Sequence, residues 1–467
     1  MKIMSILEIY STNNCLHKLV VISGWIRSKR VSKIGISFLT VYDGSSIHSI
    51  QVIACKSLLN YFTEVLKLTT GCSVIVTGYL QLSRGLLQVY EIKSCNIQVI
   101  GWVNHPELYP MSAKRHTVEY IRNFCHLRPR TNLIGVVTRI RNMVFQALNK
   151  FLNNYGYFWV STPIITSIDA EGAGSVFKVS LLDSNSNCKI QTRSEINKKL
   201  NFFGKEVFLT VSGQLTLEAY ACSLSKVYSL GPTFRAENSN TKKHLTEFWM
   251  LEVERSFTNI DKISQFSEKL LKYTVSYVLD HCISDLVFLQ KIIDPNIFNR
   301  LNDFLNIKFI NIEYSDVINI LKKNNINNNS VISWGDDLLS IQEKYLTDNY
   351  FKSTVIIRNY PKSLKAFYMR VNDDNRTVSA FDILVPRIGE IIGGSEREER
   401  LDFLENRMNE IGLNSNNYSW YKDLRKYGTV PHSGFGLGLE RLVLFITGIK
   451  NIRESIPFPR TVGSADF

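Results

Sequence analysis

Hydrophobic and polar positions alternate in short runs through the first hundred residues: LVVISGWIRS (19–28), GISFLTVYDG (35–44), SIQVIA (49–54), CSVIVTGYLQ (72–81) and LLQVYEIKSCNIQVI (86–100). A period of two sends successive side chains to opposite faces, the mark of a half-buried strand. LLNYFTEVLKL (58–68) interrupts them with helix-like spacing. Five strands and one helix predict a small closed barrel such as the OB-fold over residues 1–103.

NHPELYPMSAKRHTVEYIRNFCHLRPR (104–130) holds three prolines and several basic residues, and reads as a linker. In TNLIGVVTRIRNMVFQALNKFLNNYG (131–156), apolar residues stand at 134, 137, 140, 144, 147, 148 and 151, and Gly156 ends the pattern. That spacing predicts a helix. A strand, YFWVSTP, follows and ends at Pro163. Residues 131–467 read as one large α/β unit. Within it 260–350 is mostly helical and carries no chemical motif. KKNNINNNS (322–330) reads as an Asn-rich surface loop.

At 467 residues the chain is too long for one core and suits two or three domains. No apolar run approaches the ~20 residues that cross a bilayer. Glu8 interrupts the apolar N-terminus MKIMSILEIY, so a soluble, untargeted, cytoplasmic chain without a membrane partner is expected. The eight cysteines form no CxxC and no zinc spacing, which predicts reduced thiols. A formal net charge of +13 favours a polyanionic partner. Lys-, Asn- and Ile-rich composition also follows from AT-biased coding, so charge alone does not settle the partner.

The densest chemistry lies in FRAENSNTKKHLTEFWMLEVE (234–254). It reads as two antiparallel strands joined by a polar, basic loop. Period two places Arg235 and Glu237 on one face, and Glu252 and Glu254 close the second strand. A fixed guanidinium suits a phosphate oxygen, an aromatic stacks on a purine, and a carboxylate accepts from an exocyclic amine. Such a platform would hold ATP without a P-loop, and no GxxxxGK[ST] is present. On spacing alone, an ion-paired surface hairpin is the commoner structure.

This stretch resembles motif 2 of class II aminoacyl-tRNA synthetases, in the asparaginyl form of the aspartate/asparagine/lysine subgroup. Residues 131–156 with GYFWVSTPIIT are similar to motif 1, with its expected proline at Pro163. GFGLGLERLVLF (434–445) is similar to motif 3. IDAEGAGSVF, VSGQLTLEAY, VPRIGEIIGGSEREER and NIRESIPFPRTVG also match in order, across nearly the whole chain. The resemblance implies a multidomain α+β protein: an OB-fold anticodon-binding domain, then an antiparallel catalytic sheet flanked by helices. It also implies a homodimer built through motif 1. The implied reaction activates asparagine with ATP as an asparaginyl adenylate, then esterifies tRNA(Asn).

A carboxylate is already a nucleophile at neutral pH, so activation needs positioning and charge neutralisation rather than a general base. The resemblance implies catalytic roles for Arg235, at the α-phosphate and substrate carboxylate, and Arg441, at the γ-phosphate. It further implies that Glu237 reads adenine, Phe248 stacks on it and His244 approaches the outer phosphates. Gly434, Gly436 and Gly438 would let backbone approach the nucleotide, although tight strand–helix packing would use the same glycines. Asp382 and Glu390 match the family's Mg²⁺ acids, Glu390 also facing ATP; two carboxylates plus phosphates suit that ion, and a solvated surface pair is the bland alternative. For the amino acid, Glu171 and Gln214 would hold the α-amino end, Arg397 the side-chain carbonyl and Glu252 the side-chain amide. Leu217 stands where aspartyl relatives carry a lysine, which would disfavour aspartate. In the barrel, Phe38 and Gln51 would read an anticodon base, with Arg27, Lys29 and Arg30 near phosphates. As a lone aromatic Phe38 fits a core equally, and the cations fit a solvated basic face.

Three positions depart from the family pattern: Lys243 for arginine, Glu396 for glutamine, and Leu439 for an aromatic. The rival readings are an aspartyl-tRNA synthetase, including a nondiscriminating one, a stand-alone amidating enzyme on the same fold, and a non-enzymatic OB-fold nucleic-acid binder.

Overall fold

The computed structural model describes all residues except 1, 13–14, 84, 86–87, 113, 115, 171–175, 182–201, 240, 325 and 327–331. The chain divides into two compact units. One comprises Met1–Ile140, Cys282–Ile292 and Phe467; the other comprises Arg141–His281 and Ile293–Asp466.

In the first unit β1 (Leu19–Val31), β2 (Ile36–Tyr42), β3 (Ile50–Cys55), β4 (Ser73–Leu82) and β5 (Tyr90–Gly101) close a barrel in the order β1-β2-β3-β5-β4. Alternation decides which side chains fill it: Val20, Ile22, Leu39, Val41, Val52, Val74, Val76 and Ile92 point inward and are buried. The helix expected over 58–68 is instead a set of turns ending in a 3-10 turn, Val65–Lys67. The Asn60 amide donates to the Ile97 carbonyl, and Tyr61 exchanges a hydrogen bond with Ser37. These bonds hold Leu58, Tyr61, Val65 and Leu68 in the barrel core, where a regular helix would carry Asn60 off its acceptor.

The motif 1 helix, α1 (Asn132–Asn154), spans almost the expected range, and Gly156 follows with φ +75°. Arg139 on its first half forks onto Asp285 and donates to the Tyr42 hydroxyl. Those bonds bring the helix Ile283–Ile292 into the first unit, so the division falls later than the linker at 104–130 had placed it.

The second unit is built on an eight-stranded sheet. In chain order its strands are β6 (Phe158–Trp159), β10 (Lys226–Phe234), β11 (Glu247–Ser256), β12 (Ile310–Glu313), β13 (Val355–Arg358), β14 (Ala380–Val385), β15 (Gly389–Glu396) and β16 (His432–Gly438). The spatial order is β12-β13-β14-β15-β16-β11-β10-β6. All neighbours are antiparallel except at the two edges. β7 (Ile165–Thr166), β8 (Lys178–Val179) and β9 (Val207–Leu209) form a small separate sheet. The YFWVSTP strand shrinks to β6, and FRAE starts on the last residue of β10, so Arg235 and Glu237 lie beyond the strand rather than on it. Helices α2 (Gln214–Leu224), α3 (Ile260–His281), α4 (Ser419–Lys426) and α5 (Leu439–Thr447) belong to this unit. The region 260–350 is mostly helical but also supplies the edge strand β12. Most of the Asn-rich stretch lies outside the described residues. No helix among the described residues is long and apolar enough to cross a membrane.

Candidate active site

The site grows out of strand register. Ser229, Glu252, Gly436, Gly393 and Asp382 are successive partners across five strands. Cross-strand partners share a face, so two acids flank two glycines in one row. The next row on that face runs Val227, Glu254, Gly434, Ser395 and Ala380. Glycines in the middle strands leave a floor without side chains, with carboxylates at its sides.

At one end Arg397 is 2% exposed and forks onto Glu254, its Nε 3.1 Å from Oε1 and its Nη2 3.0 Å from Oε2. Nη2 also donates to Gln214 Oε1 at 2.7 Å, and Nη1 to the Ser395 hydroxyl. Burial works against the Arg397 charge, but Glu254 outweighs it and holds the guanidinium protonated. Glu252 was expected to accept from the substrate's side-chain amide. Instead its carboxylate accepts from the Ser212 and Ser229 hydroxyls and the Gly213 N–H. Burial pushes its pKa up despite those donors. Glu252 and Glu254 share a face, and only the pairing of Glu254 with Gly434 and of Gly434 with Ser395 puts the second acid beside Arg397. Leu217 packs with Val160, Ala221 and Val227 in a separate apolar cluster. Glu171 lies outside the described residues.

At the other end Arg441, in the first turn of α5, donates from Nη1 to the Glu390 carbonyl at 2.8 Å and carboxylate at 3.2 Å. Burial raises the Glu390 pKa, but Arg441, Lys365 and Arg235 outweigh it and leave the carboxyl lowered. Burial raises Asp382, although Lys365 Nζ lies 2.6 Å from its Oδ2. Both acids lean over one backbone carbon: a Cβ on Gly393 would meet Glu390 Oε1 at 3.1 Å and Asp382 Oδ1 at 3.4 Å. Two convergent carboxylates beside open floor fit a hard divalent cation that completes its shell with phosphate oxygens and water. Among the described residues no group of three or more His, Cys, Asp or Glu is arranged as a protein-only metal cage.

Between these ends the motif 2 residues assemble. The Arg235 guanidinium lies 5.6 Å from the Phe248 ring centroid. Its charge reaches Glu252, Glu390 and His244. His244 Nδ1 lies within hydrogen-bond reach of the Thr241 and Ser239 hydroxyls, and burial followed by Arg441 lowers its pKa. Glu237 is exposed on the loop. Lys243 donates to the Ile388 carbonyl, a single-point contact that needs no guanidinium. Glu396 accepts from the Ile260 N–H at the start of α3, so that departure has a structural use. Leu439 is buried.

One residue here had no signal in the sequence. Glu343 comes from the motif-poor 260–350 region, yet burial and then Glu390 push its carboxyl up to about 7. A Cβ on Gly389 would collide with it.

In the barrel Phe38 and Gln51 stand on adjacent strands, facing outward and half-buried. Arg30 is directly opposite Phe38, its guanidinium 5.1 Å from the ring centroid. Gln51 donates to Glu91, which also accepts from Gln81 and Ser83. Arg27 does not join them. A register shift in β1 turns it over the Tyr42 ring at 3.7 Å. Lys29 donates to the Leu66 carbonyl.

Residues 117–462 match the family described as tRNA synthetases class II (D, K and N), and residues 20–100 match the OB-fold nucleic acid binding domain. The chain is 56% identical to the asparagine–tRNA ligase of Buchnera aphidicola subsp. Schizaphis graminum, over 99% of each chain. It is 52% identical to that of Mannheimia succiniciproducens over the full length of both. A crystal structure of asparaginyl-tRNA synthetase from Pyrococcus horikoshii complexed with asparaginyl-adenylate superposes with a TM-score of 0.86 at 31% identity, covering 100% of this chain and 99% of that one. With its barrel, its antiparallel sheet and its paired acids and guanidinia, this chain belongs to the class II aspartate, lysine and asparagine tRNA synthetases.

Proposed function

We propose that this chain ligates asparagine to tRNA at the expense of ATP, through an asparaginyl adenylate. The observation that carries the choice of amino acid is the buried Arg397–Glu254 pair, together with full-length similarity to asparagine–tRNA ligases. An amide side chain offers a carbonyl to a guanidinium and an N–H₂ to a carboxylate. Glu254 is already the closest anion to Arg397, so it takes the amide role that the sequence had given to Glu252. Aspartate would bring its carboxylate against Glu254 in a dry site, where an unmatched charge is costly. Glu252 then braces the Ser212–Gly213 turn that leads into Gln214. Gln214, with Glu171, serves the α-amino end.

ATP lies along the glycine floor. Phe248 stacks on adenine and Glu237 accepts from its amine. Arg235 neutralises the α-phosphate and orients the substrate carboxylate; His244 and Arg441 face the outer phosphates, with Gly436 and Gly438 beneath. Asp382 and Glu390 would hold Mg²⁺, which would supply positive charge to the phosphate oxygens. Phe38 and Gln51 read an anticodon base of tRNA(Asn), and Arg27 supports the barrel through Tyr42 rather than touching that base. The dimer forms through motif 1: Phe158 is 58% and Trp159 56% exposed on the edge strand β6, an apolar edge that a second copy would cover. A translation enzyme of this kind works in the cytoplasm.

The test is ATP–pyrophosphate exchange with each proteinogenic amino acid in turn. Asparagine alone is expected to support exchange. Equal exchange with aspartate would replace this reading with a nondiscriminating aspartyl enzyme.

A further inference from the structure

Glu218 sits one turn beyond Gln214 on α2, with its side chain fully buried. Four side chains converge on its carboxylate. Arg425 Nη2 donates at 2.9 Å, the Tyr421 hydroxyl reaches both oxygens at 2.8 and 2.9 Å, His432 Nε2 lies 3.0 Å away, and Gln214 Nε2 donates at 3.2 Å. None of these groups except Gln214 has been given a part in substrate binding.

The Gln214 amide is the link to the site. Its Nε2 also donates to Glu254 Oε2 at 2.7 Å, while its Oε1 accepts from Arg397. Nε2 has two hydrogens, one for each carboxylate. A flipped amide would point its oxygen at two anions and its N–H₂ at a guanidinium. Glu218 and Glu254 together therefore leave one orientation, and that orientation ties Arg397 Nη2. The Glu218 charge also acts on Arg397 through space.

We propose that Glu218 is a positioning residue that fixes Gln214 and Arg397 and, through its negative charge behind that guanidinium, sets the preference for an uncharged amide over a carboxylate side chain. This rests on the reading that Arg397 and Glu254 receive the amino-acid side chain, with Gln214 beside them at the α-amino end. Removing the charge at 218 makes the pocket more positive and improves aspartate relative to asparagine. Removing the facing charge at 425 does the opposite. A purely structural role would give both changes the same sign.

The experiment measures kcat/KM for asparagine and for aspartate by pyrophosphate exchange, with the KM for ATP in parallel. Glu218→Gln is expected to lower the asparagine/aspartate ratio about tenfold or more, with the KM for ATP within about twofold of the parent. Arg425→Gln is expected to raise the ratio. Tyr421→Phe, the mildest change, keeps both charges; it is expected to raise the KM for asparagine about threefold and leave the ratio within about twofold. A parent ratio in folded Glu218→Gln, or a fall in both charge variants, overturns the proposal. Should both charge variants fail to fold, a parent KM for asparagine in Tyr421→Phe overturns it. Arg397→Lys separates the two claims. If it leaves the KM for asparagine intact, the pocket reading itself fails; if it raises that KM while Glu218→Gln is silent, only the role of Glu218 fails.

Discussion

Alanine substitution along the GFGLG strand separates packing from nucleotide approach. At Gly434 a methyl would lie 2.1 Å from Glu254 Oε2, 2.2 Å from the Val253 carbonyl oxygen and 2.8 Å from Arg397 Nη2. The carbonyl belongs to the neighbouring strand and cannot turn away, so β11 or β16 must shift. Overpacking of this kind costs about 1–3 kcal/mol. Here it falls on the Glu254–Arg397 pair, so roughly a 10- to 100-fold loss in kcat/KM for asparagine is expected, tenfold for each ~1.4 kcal/mol. At Gly436 the nearest atom is the Met250 methyl at 2.6 Å, the end of a flexible side chain that can swing aside. At Gly438 nothing lies closer than the Arg441 side chain at 3.8 Å. Gly438→Ala should therefore keep its melting temperature, and any loss must come from a methyl standing where ATP lies. The assay is pyrophosphate exchange with asparagine and ATP varied separately, alongside thermal melts. A rise of about tenfold in the KM for ATP in Gly438→Ala, with the KM for asparagine unchanged, is expected. A parent KM for asparagine in Gly434→Ala, or a parent KM for ATP in Gly438→Ala, refutes the placement of that substrate.

Arg235→Ala should lower exchange about 10²–10³-fold in a folded protein, the usual cost of one preorganised charge contact; near-parent exchange would remove Arg235 from the ATP site. Phe38→Ala and Gln51→Ala should weaken tRNA charging by roughly 1–3 kcal/mol per base contact while sparing exchange, and equal loss of both activities would mean that they act through stability. Burial and then Glu390 push the Glu343 carboxyl from its ordinary 4.5 up to about 7 in the folded chain, so the folded form holds its proton more tightly. The associated stability is full below about pH 4.5 and is lost as pH rises through 7. Glu343→Gln should therefore gain melting temperature over the parent at pH 8.5 but not at pH 5.5, both measured in EDTA; an equal difference at the two values would refute a raised pKa for this carboxyl.

What could be read in the sequence was what local pattern encodes. Alternation set the barrel strands because one face of each had to be apolar. The 3.6-residue spacing set α1 within two residues at either end. Motif order then fixed the family, and with it the short list of Arg, Glu and Gly positions. What could not be read was anything decided by register between strands distant in sequence. Glu252 and Glu254 are indistinguishable by period; the pairing of β11 with β16 and of β16 with β15 chooses between them. Arg27 looked like its neighbours Lys29 and Arg30 until the register shift in β1 turned it onto Tyr42. Glu343 had no motif at all, because its significance is only that a helix end 47 residues before Glu390 brings it back to that acid.

The same logic explains why charge can be this dense in the interior. A buried carboxylate is tolerable only when donors surround it. Glu218 has Arg425, Tyr421, His432 and Gln214; Glu254 has Arg397 and Gln214; Glu252 has Ser212, Ser229 and Gly213. At the other end Asp382 has Lys365, and Glu390 has Arg441. Burial and then the Glu390 charge push the Glu343 carboxyl up to about 7. In the proposed assignment the acids with the most donors line the amino-acid end, where selection between two nearly isosteric side chains demands fixed geometry. In the same assignment Asp382, Glu390 and Glu343 gather at the phosphate end, where a bound Mg²⁺ would bring positive charge to them. Donor-filled carboxylates would then stand where specificity is decided, and cation-binding ones where the phosphates lie.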